Sequence, residues 1–136
     1  MNKPTPVKKT KTRRTKTKRT VPHGHAHVFA SFNNTIIMIS DQAGNALAIS
    51  SAGSCGFSGG KKSTAYAAQI ATNQVANQAV NAFGLKKLDV FVRGIGQGRD
   101  SAIRTLLNRA GLQVETITDK TTIPHGGVRP RKARRV

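Results

Sequence analysis

STAYAAQIATNQVANQAVNAFG at residues 63–84, followed almost at once by LDVFVRG at 88–94, decides the fold of this chain. In the first stretch Ala68, Ala71, Val75, Ala79 and Phe83 recur at helical spacing. Ser63 or Thr64 is placed to cap its start, and Gly84 to stop it. The alanines on that face let a helix approach a sheet closely, while Asn73, Asn77 and Asn81, spaced by four, form a polar stripe toward solvent or a partner. The second stretch alternates as a strand does. A helix that feeds a strand so quickly implies a strand–helix–strand crossover, hence parallel pairing with helices packed on a sheet.

Downstream, DSAIRTLLNRAG at 100–111 reads as a second helix with Ile103, Leu106, Leu107 and Ala110 inward, and LQVETIT at 112–118 as a last strand. Upstream, HAHVFASF at 25–32 and TIIMIS at 35–40 read as strands. DQAGN at 41–45 supplies a turn to a third strand near 46–51. The unbroken apolar run Ile36 to Ile39 suggests a strand covered on both faces, with layers above and below the sheet. The expected order is three strands in a meander, helix, strand, helix, strand, in a mixed sheet.

Charge is distributed unevenly. Of 23 Lys and Arg, nine lie in residues 1–20 and five in 129–136, segments without Asp or Glu. About +14 of the formal +18 therefore sits on two ends flanking a nearly balanced body. Such ends cannot bury enough apolar surface to order themselves, and they repel themselves unless a polyanion neutralises them. Nucleic acid is the expected partner, because each phosphate neutralised releases condensed counterions. Solubility alone, or a lipid surface, are the competing explanations. No apolar segment approaches the roughly 20 residues of a membrane span, and no amphipathic anchor flanks the tails, so no membrane partner is expected. The lone Cys55 makes no internal disulfide, and with no apolar leader the chain reads as reduced and intracellular. An organelle transit peptide is the weaker reading of the N-terminal basic run. The expected organisation is a basic extension over 1–22, an α/β RNA-binding domain over 23–120 and a basic tail over 121–136.

Three segments invite chemistry. GSCGFSGGKKST at 53–64 superficially resembles a phosphate-binding P-loop, but Cys55 stands where its first Gly belongs, and Lys62 rather than Ser or Thr follows Lys61. Nucleotide hydrolysis is not expected. A glycine loop, two lysines and a helix N-terminus still suit a phosphate, and Phe57 either stacks on a base or anchors the loop. RGIGQGRD at 93–100 has Gly94, Gly96 and Gly98, but the dinucleotide fingerprint needs its third Gly one residue later. It fits either close approach to an RNA backbone, with Arg99 on phosphate, or a tight turn with no ligand. His23, His25 and His27 alternate and share one face of a strand. Without nearby Cys they point to RNA contact or hydrogen bonding rather than to a metal. The five acids, Asp41, Asp89, Asp100, Glu115 and Asp119, offer no paired spacing for a catalytic dyad.

SFNNT at 31–35, GFSGGKKST at 56–64, RGIGQGRDSAIR at 93–104 and TDKTTIPHGGVRPRKARRV at 118–136, in this order, resemble the bacterial-type small ribosomal subunit protein eleven family. The resemblance runs from about His25 to the C-terminus. It implies a three-layer α/β/α domain with a mixed five-stranded sheet of the ribonuclease H-like type, with disordered basic tails, no catalytic activity and no cofactor or metal. It also implies a cytoplasmic ribosome, or that of an organelle, and a place on the small-subunit platform. There the family bridges several small-subunit rRNA helices and forms part of the cleft for the messenger RNA's Shine–Dalgarno duplex. Small-subunit proteins seven, eighteen and twenty-one are its implied neighbours, with initiation factor three nearby.

Carried onto this chain, the implied rRNA contacts are Asn33 and Asn34; Phe57, Lys61, Lys62, Ser63 and Thr64; and Gly94, Gly96, Gly98 and Arg99. In the tail they are His125, Arg129, Arg131, Lys132, Arg134 and Arg135. The chain departs from the family near its end, where Gly126, Gly127 and Val128 replace an Asn–Gly–Cys run, while Arg129 and Pro130 keep the extended basic geometry. A free RNA chaperone or DNA-compacting protein would share the basic tails without needing four motifs around an α/β core. A degenerate nucleotide-binding enzyme would share only the glycine loops.

Overall fold

The computed structural model describes residues 19–136. Five strands form one mixed sheet: β1 (His23–Ala30), β2 (Thr35–Asp41), β3 (Ala46–Ser51), β4 (Lys87–Gly94) and β5 (Gln113–Asp119). The sheet order is β3-β2-β1-β4-β5. β1 and β2 pair antiparallel, as do β2 and β3, whereas β4 pairs parallel with both β1 and β5. Helix α1 (Ala65–Phe83) makes the crossover from β3 to β4, and α2 (Gly98–Leu107) that from β4 to β5. The expected meander, crossovers and element order are all present. Of the basic extension expected over 1–22, all but the last four residues lie outside the described residues.

Local chemistry explains the ends of α1. The Thr64 hydroxyl accepts from the Ala67 N–H at 3.3 Å, satisfying one orphan donor of the first turn. Gly84 closes the helix in the left-handed conformation at φ 65°, its N–H donating to the Val80 carbonyl. The inward face is Ala67, Ala68, Ala71, Thr72, Val75, Ala76 and Ala79, and the small side chains bring α1 down onto β2 and β3. Thr72 is buried without penalty because its hydroxyl donates to the Ala68 carbonyl at 2.7 Å. Asn77 and Asn81 face solvent, and Asn73 lines a groove between the helices with Gln69, Ser101 and Arg104.

Both helices lie on the same face of the sheet, which differs from the layering expected from the sequence. The crossovers β3 to β4 and β4 to β5 advance in the same direction along the sheet, so right-handed connections put both helices on one side. They touch there, with the Ser101 hydroxyl of α2 donating to the Ala65 carbonyl of α1 at 2.8 Å. Beneath them Ala26, Val28, Ile37, Ile39, Leu88, Val90 and Val92 form the core with Val75, Ala102 and Leu106. Fully burying each large aliphatic side chain contributes about 1.5–3 kcal/mol. On the opposite face no helix is found among the described residues. Ile36 there is 36 % exposed and Met38 half-buried, so the run Ile36–Ile39 is not covered on both sides. A second correction concerns α2, which ends at Leu107, leaving Leu107 and Ala110 exposed where helical spacing put them inward; Ala102 takes the core position.

From Lys120 to Val136 the chain forms no helix or strand, and residues 122–136 are exposed throughout.

Candidate nucleic-acid interface

β1, β3, β4 and β5 run in one direction, so their carboxyl ends open on the same edge of the sheet. Ala30 pairs with both Thr35 and Gly94, Ile36 with Ser51, and Val92 with Asp119. The register therefore brings together three loops, Ser31–Asn34, 52–64 and 95–97, with the root of the tail at Lys120. Motifs separated by some ninety positions in sequence become neighbours, at the end of the sheet where open α/β folds generally bind ligands. The turn at Asp41–Asn45 lies at the opposite end.

Each loop has its own internal logic. In the first, the Ser31 hydroxyl accepts from the Asn34 N–H at 3.1 Å and donates to the Asn34 carbonyl at 3.0 Å. Asn34 Oδ1 in turn accepts from the Thr35 N–H at 2.9 Å. Asn34 thus holds the hairpin, while Asn33 and Phe32, the latter 70 % exposed, project from it.

The second loop is more ordered than its composition suggests, since Gly59–Ser63 form a 3-10 turn. The Ser63 and Thr64 hydroxyls donate to the Gly60 and Lys61 carbonyls at 3.0 and 2.7 Å. Phe57 is half-buried, and its ring meets that of Tyr66 edge-on with centroids 5.9 Å apart. Tyr66, which sequence reasoning passed over, is 63 % exposed. Lys61 is exposed and Lys62 half-buried, without a carboxylate partner among the described residues.

In the third loop the glycines serve the protein's own packing. A Cβ on Gly94 would fall on the Ala30 carbonyl, one on Gly96 on the Ser31 carbonyl, and one on Gly98 on the Thr35 hydroxyl and Ala68. The Gly96 N–H donates to the Ala30 carbonyl at 3.0 Å. Arg99 is likewise engaged internally. Its Nη1 donates to the Gly94 carbonyl at 3.1 Å and its Nη2 to Asp119 Oδ2 at 2.7 Å. Asp119 also accepts from the Thr121 hydroxyl and N–H. These two bonds first, and the Arg99 guanidinium after them, pull the Asp119 carboxyl down to about 2.

With its pKa lowered on folding, Asp119 contributes stability that is present above its unfolded pKa and is lost as pH falls through about 2. NMR titration of its carboxyl is expected to show a midpoint near 2, and Arg99→Ala to raise it only part of the way, because both Thr121 bonds survive. Return to an ordinary carboxylate value in that variant would show that Arg99, not Thr121, sets it.

The three histidines lie side by side on the open face of the sheet, with neighbouring ring centroids 6.5 and 6.3 Å apart. Of these only His23 comes near acids in a set of three, its donor atom lying within 4.8 Å of those of Asp89 and Glu115. The group already satisfies itself. His23 Nε2 bonds Asp89 Oδ2 at 2.8 Å, Thr116 donates to Asp89, and Lys87 Nζ holds Glu115 at 2.8 Å. The bonds from Thr116 and His23 keep the Asp89 carboxyl below its usual range. His27 is held below the ordinary imidazole value chiefly by burial, then by His25 and Lys120, and it bonds the buried Ser40 hydroxyl at 3.1 Å.

The family model described as Ribosomal protein S11 matches residues 24–135, which take in the sheet apart from His23, all three loops and the tail apart from Val136. This chain belongs to that family. Membership of the S11 family makes it a structural constituent of the small ribosomal subunit that binds rRNA and other ribosomal proteins. The match includes His125, Arg129, Arg131, Lys132, Arg134 and Arg135, all exposed on the extended tail. Projecting side chains with an extended basic tail suit recognition of RNA by shape and phosphate. No helix is long and apolar enough to cross a membrane among the described residues.

Proposed function

We propose that this chain holds the platform of the small subunit together by bridging several helices of the small-subunit rRNA, with part of its surface forming the cleft for the Shine–Dalgarno duplex. The observation that carries the reading is the convergence, in an S11 family chain, of the three loops and the root of the basic tail on one edge of the sheet. On this reading Asn33, Lys61, Lys62 and the tail residues His125, Arg129, Arg131, Lys132, Arg134 and Arg135 supply the rRNA contacts. Phe57, Asn34, Ser63, Thr64, Gly94, Gly96, Gly98 and Arg99 shape the loops that present them, and their outward atoms touch the same RNA. Residues 23–120 act as the docking body, with 1–22 and 121–136 as arms that neutralise phosphate. Proteins seven, eighteen and twenty-one of the small subunit are the proposed neighbours, messenger RNA and initiation factor three the proposed visitors, and the cytoplasmic ribosome the proposed location.

Sedimentation of a cell lysate through a sucrose gradient after a high-salt wash, with the protein followed by mass spectrometry, tests this. Stoichiometric retention in the small-subunit peak is expected, because binding through loose charge alone is stripped by salt. Release to the top of the gradient would favour a free RNA chaperone. Protection of the platform helices from chemical probes only when the protein is present would mark the location; protection elsewhere would refute it.

A further inference from the structure

The sheet has a face that neither the helices nor the loops occupy, and its chemistry is not uniform. Alternation puts His23, His25, His27 and Phe29 of β1, Ile36 and Met38 of β2, and Lys87, Asp89, Phe91 and Arg93 of β4 on this side. At the end nearer the Asp41–Asn45 turn the polar groups pair off, Asp89 with His23 through a hydrogen bond and Glu115 with Lys87 through an ion pair. At the carboxyl end the cations do not. A groove there is lined by His27, Phe29, Met38, Phe91, Arg93 and Lys120, and contains no carboxylate. The nearest acid in sequence, Asp119, pairs with Val92 in the register and so points to the helix side, where Arg99 holds it.

Within this groove aromatic planes and cations are interleaved. The Phe91 and His27 rings stack with centroids 5.6 Å apart and planes 20° from parallel. Lys120 Nζ rests 4.1 Å from the Phe91 centroid, and the Arg93 guanidinium lies 5.8 Å from that of Phe29, which is 44 % exposed. Cation–π contact holds each cation over its ring, but it leaves Phe29 exposed and gives neither Arg93 nor Lys120 a carboxylate among the described residues. A nucleotide supplies what both groups lack, a flat base for the rings and a phosphate for the cations.

We propose that the carboxyl half of the open sheet face is a stacking platform for one or two unpaired bases of the small-subunit rRNA. The proposal rests on the reading of the chain as an rRNA-binding protein and adds a surface to it. On engagement Lys120 and Arg93 leave the rings for the flanking phosphates, and the bases take their places over Phe91 and Phe29. An apolar peptide is a poorer occupant, since it would bury two cations without a counter-charge. The platform is continuous with the loop edge through Gly94 and Lys120, so a strand leaving the loops reaches it directly.

The test uses small subunits reconstituted with the full chain, irradiated with ultraviolet light and digested. Peptides carrying a nucleotide adduct are then identified by mass spectrometry. Adducts at Phe29 or Phe91 are expected. Phe29→Ala is expected to weaken binding of the full chain to the rRNA roughly tenfold, with rescue by Phe29→Tyr, an unchanged salt slope and, because Phe29 is 44 % exposed, a melting temperature lowered only modestly and restored by the same Phe29→Tyr change. Adducts confined to the loops and tail, together with unaltered binding by Phe29→Ala, would overturn the platform and leave the rRNA-binding reading intact. Cross-links from this face to another protein would overturn it too. Loss of the chain from washed subunits altogether would instead refute the reading on which the platform rests.

Discussion

Gly94→Ala is expected to lower stability by roughly 3 kcal/mol or more. At about 4–8 °C per kcal/mol for a domain of this size, the melting temperature should fall by roughly 12 °C or more. Two effects add. Gly94 sits at φ 99°, where an L side chain is strained, and its Cβ would fall on the Ala30 carbonyl across the β1–β4 pair. Gly44→Ala is the internal control, because Gly44 has nearly the same dihedral, φ 93°, with nothing within 4 Å of an added Cβ. It should cost only the conformational part, about 1–2 kcal/mol. The difference between the two melting temperatures therefore measures backbone crowding beneath the third loop. Equal losses would mean that β4 slides away from Ala30 at little cost and that the loop is not held by the sheet. The same comparison bears on function, since Gly94 also accepts from Arg99 and donates its N–H to the Thr121 hydroxyl. A shifted Gly94 would disturb both the third loop and the root of the tail.

How much of this was legible beforehand depended on how local the determining physics is. Thr64 and Gly84 announce the ends of α1 because a cap is decided within one turn, and the element order follows from patterns a few residues long. Ile36–Ile39 misleads because an apolar run looks the same whether the far side is covered by a helix or left open; only the direction of the two crossovers settles it. Leu107 continued a good helical period, but the chain leaves the helix at Asn108, and Gly111 turns at φ 80°, so the period outlasted the helix. The third loop is the clearest case. Gly94, Gly96 and Gly98 read equally well as an approach for RNA or as a tight turn, and what crowds them, Ala30, Ser31 and Thr35, lies some sixty positions away. The platform formed by Phe29, Phe91, Arg93 and Lys120 has no sequence signature, because Phe29 of β1, the Phe91 and Arg93 pair of β4 and Lys120 just after β5 meet only through the register.

The body and the tail should prove separable, and replacing Arg129, Arg131, Lys132, Arg134 and Arg135 by alanine is the change that divides them. All five are exposed, and none pairs with a carboxylate among the described residues. The melting temperature should therefore stay within about 2–4 °C of the parent, as for surface substitutions that touch nothing. Binding to the small-subunit rRNA should suffer heavily. With about 0.7–0.9 of a counterion released per phosphate contact, losing five contacts flattens the plot of log affinity against log salt by roughly 4. Affinity near physiological salt should drop on the order of a hundredfold, and incorporation into the subunit should fail under a high-salt wash that the parent survives. Arg129→Ala with Arg131→Ala alone should give somewhat under half of the slope change. A large fall in melting temperature would show that the tail packs on the body and stabilises it. An unchanged slope with reduced incorporation would mean that the tail is read by shape or by another protein rather than by phosphate. A flattened slope at constant melting temperature would make the five cations a purely electrostatic arm, and would leave the rigid loop edge and the open sheet face to decide where on the rRNA that arm is laid down.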